Sequence, residues 1–370
     1  RAVSDGRVTL EELQATLGTD EGYLKLATLE GAIFAVFATA DSARAYRLDI
    51  DPEALEEEVD ALRATIAYVE GGQTLTFPFD IERSRALYRS LFDPVDDQLA
   101  SLRHLVFEPD GAMLRLPANL LVRDDDSVDR YIERITQGGD EYDFTGTNWL
   151  GRAVQISTAV SPSAFRDARN APRSSAQHEY IGFGENTPLT EARGTTGTRS
   201  ALAGGTDCLW APSIWDYPIR ADELYTAARS LGAAGVEERI LTGDRFTDTA
   251  VSAMKDLDEY RILHFATHGL VTAPQPECPP RPALLTSFGD AQSDGLLSFA
   301  EIFDLEIDAD LVILSACDTA GAATLGASLE AGVAGGGFAL DGLVRAFVGA
   351  GGRTVIASHW PVPDDYDATS

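Results

Sequence analysis

Two short apolar blocks, each ending abruptly in a reactive side chain, constrain this chain more than any other feature. Residues 260–265 lead through Ala266 and Thr267 to His268 and Gly269. Residues 311–314 lead through Ser315 and Ala316 to Cys317. Each run is too short for a helix and too apolar for an exposed loop, so each reads as a buried strand of a parallel sheet. Ligands of open α/β sheets bind beyond the carboxyl ends of the strands. His268 and Cys317 are therefore expected side by side at the edge where a site forms. A neutral imidazole beside a thiol is the minimum equipment for a cysteine nucleophile.

Length and charge narrow the rest. The 370 residues suffice for one large or two ordinary domains, and a hydrophobic fraction of 44% supplies a core. A net charge of −30 argues against nucleic-acid or anionic-membrane partners, which need clustered Lys and Arg. The acidity fits either plain solubility, including in a salty habitat, or a surface for a basic substrate. Three cysteines, Cys208, Cys278 and Cys317, show no regular spacing and suggest no disulfide framework. A reducing compartment, the cytoplasm, suits them and suits a catalytic thiol. No apolar run approaches the ~20 residues of a membrane span; residues 31–40 come nearest, bounded by Glu30 and Asp41. The chain opens at Arg1 without Met, in what reads as mid-domain sequence, and is taken as a piece of a longer protein.

Periodicity places the other elements. Helices are expected over 8–18, with Ser4 and Asp5 as caps, and over 51–69, 81–91, 95–102, 221–231, 247–257, 298–303 and 340–348. Strands are expected over 31–38 with a hairpin partner at 44–48, and over 153–158, 178–183, 236–241 and 354–358. Another begins at His104, turns at Asp110 and Gly111, and resumes at Leu114. Residues 124–143, dense in Asp, read as an exposed loop or hairpin. A domain boundary falls within 168–177. Residues 190–212 read as a long loop, and the glycine-rich residues 321–337 as flexible.

The blocks His-Phe-Ala-Thr-His-Gly at 264–269 and Leu-Ser-Ala-Cys-Asp-Thr-Ala at 314–320 carry a resemblance, strengthened by Val-Ile-Ala-Ser-His-Trp-Pro-Val-Pro-Asp-Asp at 355–365. Together they closely resemble the CHAT family of caspase-like peptidases. The likeness extends through residues 88–121 and 149–166. It implies an α/β fold: a caspase-like sheet flanked by helices in 173–370, truncated at its C-terminus. Residues 1–172 would be a companion resembling a degenerate pseudo-caspase copy, and no His-Gly or Cys block occurs in them.

The resemblance further implies a cysteine endopeptidase acting on a protein substrate without a cofactor or metal. Cys317 would be the nucleophile and His268 the base, with backbone N–H groups of Gly269 and Cys317 as the oxyanion hole. It also implies control by an activating partner or sensor domain outside these residues, and a setting in bacterial defence or cell death. No repeat of about 34 residues is visible here. Candidate substrate-binding residues are Asp364, Asp318 and Ser315. Asp364 fits the family's Trp-x-Val-x-Asp block, although His359 and Pro363 depart from its commoner residues. A carboxylate at a pocket floor would take Arg or Lys; equally, Asp318 could cap a helix and Asp364 mark a turn.

Rival readings remain. A silent CHAT scaffold, acting as an interaction module, would keep the fold without the chemistry. A dinucleotide site at Gly182 and Gly184 fails on its third glycine, where Thr187 and Pro188 stand. His264 reads as a histidine of the core or one that backs the site, and a zinc pair at this spacing would need one helix face and a neighbouring Glu. Cys208 and Cys278 follow no apolar strand and read as chance thiols.

Overall fold

The computed structural model describes residues 7–66, 68–70, 73–189, 210–233, 235–270, 282–316 and 342–359. The expectations for Ser4, Asp5, Cys208, Cys278, Cys317, Asp318, Asp364 and residues 321–337 lie outside them. The chain divides into two compact units, Asp5–Arg169 and Asn170–Ser370. Among the described residues no helix is long and apolar enough to cross a membrane.

The first unit holds a mixed sheet of β1 (Glu21–Leu29), β2 (Ala32–Thr39), β3 (Ala43–Arg47), β6 (His104–Glu108) and β7 (Gln155–Thr158), in the order β3-β2-β1-β6-β7. A small hairpin of β4 (Tyr68–Glu70) and β5 (Gln73–Leu75) stands apart. Strands β6 and β7 run parallel to β1, while β2 and β3 return antiparallel. The β1–β2 hairpin closes over Glu30 and Gly31, both at positive φ, the geometry that matches strand twist in two-residue loops. Helices Pro52–Ile66 and Ile81–Phe92 lay Leu55, Val59, Leu87 and Leu91 on this sheet.

Four expectations need correction. The first helix is Leu10–Thr16 and begins at Thr9, whose hydroxyl and Glu12 form a reciprocal capping box. The chain does not resume as a strand at Leu114 but makes a 3-10 turn over Gly111–Arg115. Residues 124–143 are not a loop throughout: Asp125–Thr136 is a helix capped by Asp124. Its acidic first turn complements the helix dipole, and Val128 and Tyr131 are buried beside Ile132 and Ile135. Val236–Arg239 is a helical turn, so the strand expected there shrinks to Ile240–Leu241.

The second unit is built on a five-stranded parallel sheet. Its strands are β8 (His178–Gly184), β9 (Ile240–Leu241), β10 (Tyr260–Ala266), β14 (Leu311–Ser315) and β15 (Val355–Ala357), in the order β15-β14-β10-β8-β9. Three further strands form a separate antiparallel sheet that periodicity did not reveal: β11 (Gly269–Leu270), β12 (Ala283–Leu285) and β13 (Leu296–Ser298). One face of the parallel sheet packs Phe183, Leu263, Phe265 and Leu314 against Phe299, Ile302 and Phe347 of helices Phe299–Phe303 and Leu343–Ala350. The rings of Phe183 and Phe265 stack at 4.7 Å. The other face sets Tyr180, Ile262 and Ala266 against Leu224 and Ala228 of helix Asp222–Ser230. Alternation along β10 therefore buries both faces, which is why the strand reads as one apolar run.

Candidate active site at the carboxyl edge of the parallel sheet

Strands β10 and β14 are parallel neighbours, and Ala266 directly faces Ser315. The Thr267 N–H carries the ladder one step further, donating to the Ser315 carbonyl at 3.3 Å. Beyond this point β10 leads to His268, and β14 leads through Ala316 toward Cys317, which lies outside the described residues. Close approach of the third strand depends on Gly184, which faces Ala266 from β8. A Cβ there would lie 2.4 Å from the Ala266 carbonyl oxygen.

The main chain around His268 is fixed by β12. Buried Thr267 donates from Oγ1 to the Leu285 carbonyl at 2.6 Å, and the Leu285 N–H donates to the His268 carbonyl at 2.9 Å. In an antiparallel ladder, hydrogen-bonded and non-hydrogen-bonded pairs alternate. His268 and Leu285 form a bonded pair, so Gly269, which faces Leu284, belongs to a non-bonded one. The Gly269 N–H consequently points away from β12.

The His268 imidazole is half-buried, with Nε2 2.6 Å from the Tyr217 carbonyl oxygen. A carbonyl only accepts, so Nε2 carries the hydrogen. In the neutral ring the lone pair is then on Nδ1, the nitrogen able to take a proton.

His264 occupies a different position from His268. It is buried in β10, as expected of a histidine in the core or behind the site, and both ring nitrogens are engaged. Nε2 lies 2.8 Å from Glu223 Oε1, and Nδ1 lies 3.0 Å from the Tyr180 hydroxyl. The second oxygen of Glu223 accepts from Ser315 Oγ at 2.9 Å. The bond from His264 holds the Glu223 carboxyl below its ordinary range; partial burial opposes this and Ser315 reinforces it. Glu223 thus bridges the two strands just ahead of the site.

Of the residues singled out from sequence, His268, Gly269 and Ser315 stand together at this edge. Ser315 holds Glu223 with its hydroxyl. Sequence reasoning missed Glu223 and Tyr217. The first sits on an amphipathic helix where a Glu ordinarily faces water, and the second contributes a backbone carbonyl that no side chain announces. Among the described residues, no group of three or more His, Cys, Asp or Glu side chains could hold a metal ion.

A parallel sheet covered by helices on both faces, with a histidine just past the carboxyl end of a central strand, is a layout of the caspase-like kind. The family model of the CHAT domain matches residues 82–369, most of the chain. The chain belongs to the CHAT-domain family, a family of caspase-like domains. No curated protein matches it.

Proposed function

We propose that this chain is a cysteine endopeptidase that cleaves a protein substrate through Cys317 and His268. The supporting observation is the orientation of His268. Its Nε2 hydrogen is committed to Tyr217, which leaves Nδ1 as the base, just past the end of the strand adjoining the one that leads to Cys317. A free thiol has a pKa near ~8.5, so a neighbouring base is needed to raise the thiolate fraction at neutral pH. His268 Nδ1 takes the Cys317 proton as the sulfur attacks the peptide carbonyl. The oxyanion is met by the N–H groups of Gly269 and Cys317, such donors being worth roughly 3 kcal/mol each in other proteases. His268 returns the proton to the leaving amine, and water then releases the acyl-enzyme.

The acidic composition and the candidate carboxylates Asp364 and Asp318 favour a basic residue before the cleaved bond. The first unit is read, by resemblance alone, as a degenerate copy without the catalytic pair. Activity is set by a partner or sensor domain outside these residues, in a reducing compartment.

Labelling with a peptide-based electrophile, followed by turnover of a peptide library, tests this reading. One modified cysteine, Cys317, is expected. Cys317→Ala and His268→Ala should each lose turnover by roughly 10³-fold or more while melting as the wild type does. Cys208→Ala and Cys278→Ala should stay active. Full turnover by Cys317→Ala would end this reading, and a folded wild type with neither labelling nor turnover would leave the silent scaffold as the better one.

A further inference from the structure

Residues 215–223 touch the carboxyl ends of three parallel strands at once. Trp215 is buried; its Nε1 donates to the Thr286 carbonyl at 3.0 Å, and its own carbonyl accepts from Asn186 Nδ2 at 2.9 Å. Two residues on, the Tyr217 carbonyl holds His268. The Ala221 N–H donates at 2.9 Å to Oε2 of Glu185, the residue that follows β8. Glu185 is in the left-handed region at φ 48, a conformation a non-glycine residue keeps only where its surroundings hold it. Glu223 then spans β10 and β14 through His264 and Ser315.

The placement of these links matters. His264 lies four positions before His268, and Ser315 two positions before Cys317. The carboxylate therefore ties together, from outside their backbone ladder, the two strands that lead to His268 and Cys317. The same short segment aims His268. Both carboxylate oxygens are committed, although the Glu223 side chain keeps 45% of its surface exposed.

We propose that Glu223 is a positioning residue of the peptidase site. Its carboxylate couples β10 to β14 and, with residues 215–223, sets the approach of His268 to Cys317. It acts through His264 and Ser315 and touches neither substrate nor reacting atoms. This inference rests on the peptidase reading above.

Steady-state turnover of a peptide substrate by the full chain tests it. A misplacement of about 1 Å at reacting atoms costs on the order of 10²-fold. Glu223→Ala is accordingly expected to lower kcat by about 10- to 100-fold, with KM within about twofold and an unchanged melting midpoint. Glu223→Gln keeps one acceptor and gives Ser315 a donor in place of the other, so it should recover part of the loss. Ser315→Ala should lower kcat less, and the double variant with Glu223→Ala should do no more harm than Glu223→Ala alone. Should Glu223→Ala fail to fold, Glu223→Gln and Ser315→Ala carry the same comparison. A folded Glu223→Ala with kcat within about twofold of wild type overturns the inference, as does a raised KM at constant kcat, which marks a substrate contact. A wild type without Cys317-dependent turnover overturns the peptidase reading itself, and this inference with it.

Discussion

The Nε2 of His268 and the carbonyl oxygen of Tyr217 lie 2.6 Å apart, and this bond leaves the lone pair of the neutral imidazole on Nδ1. Under the proposed peptidase reading, the base is presented in one tautomer before any substrate arrives. That is preorganisation by a backbone carbonyl instead of a third side chain.

The tautomer is directly observable. Nitrogen NMR of the histidine side chains, above the imidazole's titration range, should show His268 protonated at Nε2 and bare at Nδ1. A ring protonated at Nδ1 would contradict the assignment of Nδ1 as the base.

Gly184→Ala probes the fit of β8 against β10. The added carbon would sit 2.4 Å from the Ala266 carbonyl oxygen, and no rotamer change relieves a clash with backbone. The strand must shift two residues before His268. We expect a stability loss of about 1–3 kcal/mol and a fall in turnover larger than the unfolded fraction explains. Turnover that tracks the folded fraction alone, in denaturant titrations run beside the assay, would refute it.

Acid stability of the first unit should depend on Glu21. This side chain is buried at the start of β1 and accepts from His104 Nδ1 at 2.8 Å, the Gly18 N–H at 2.9 Å and Arg169 at 2.5 Å. Burial alone would raise its carboxyl; the bonds from His104, Gly18 and Arg169 outweigh that and hold it down from 4.5 to about 2. A depressed folded value means the stabilisation is complete above the unfolded value and is lost as pH falls toward the folded one. The gap is worth on the order of 3 kcal/mol. Glu21→Gln should therefore melt earlier than wild type at neutral pH, with the difference shrinking as pH drops from about 5 to about 2.5. A difference independent of pH across that range would show that the carboxylate's charge is not what matters.

How much of this was legible in the sequence depended on where each signal resides. Strands β10 and β14 were readable because burial on both faces makes a strand continuously apolar, and their parallel pairing followed. The helix Asp125–Thr136 was hidden by its own cap: Asp124, Asp125 and Asp126 look like loop composition, yet Val128, Tyr131, Ile132 and Ile135 keep helical spacing behind them. Strands of two or three residues, such as β11 to β13, are too short for any period to register. Glu223 and Tyr217 could not be found at all, because their partners are distant in sequence and their own surroundings are ordinary. The thiol of Cys317 is legible only as a residue type after an apolar strand.

The bonds that define this edge all join residues far apart along the chain. Tyr180 and His264 are 84 positions apart, Glu223 and Ser315 are 92, Tyr217 and His268 are 51, and Glu223 and His264 are 41. Helices and tight turns need only local closure, whereas such contacts form after the long loops between them have been ordered. A refolding chain should regain its helical signal well before it regains activity. On gentle denaturation the order reverses, so the proposed turnover should be lost before the helical signal is.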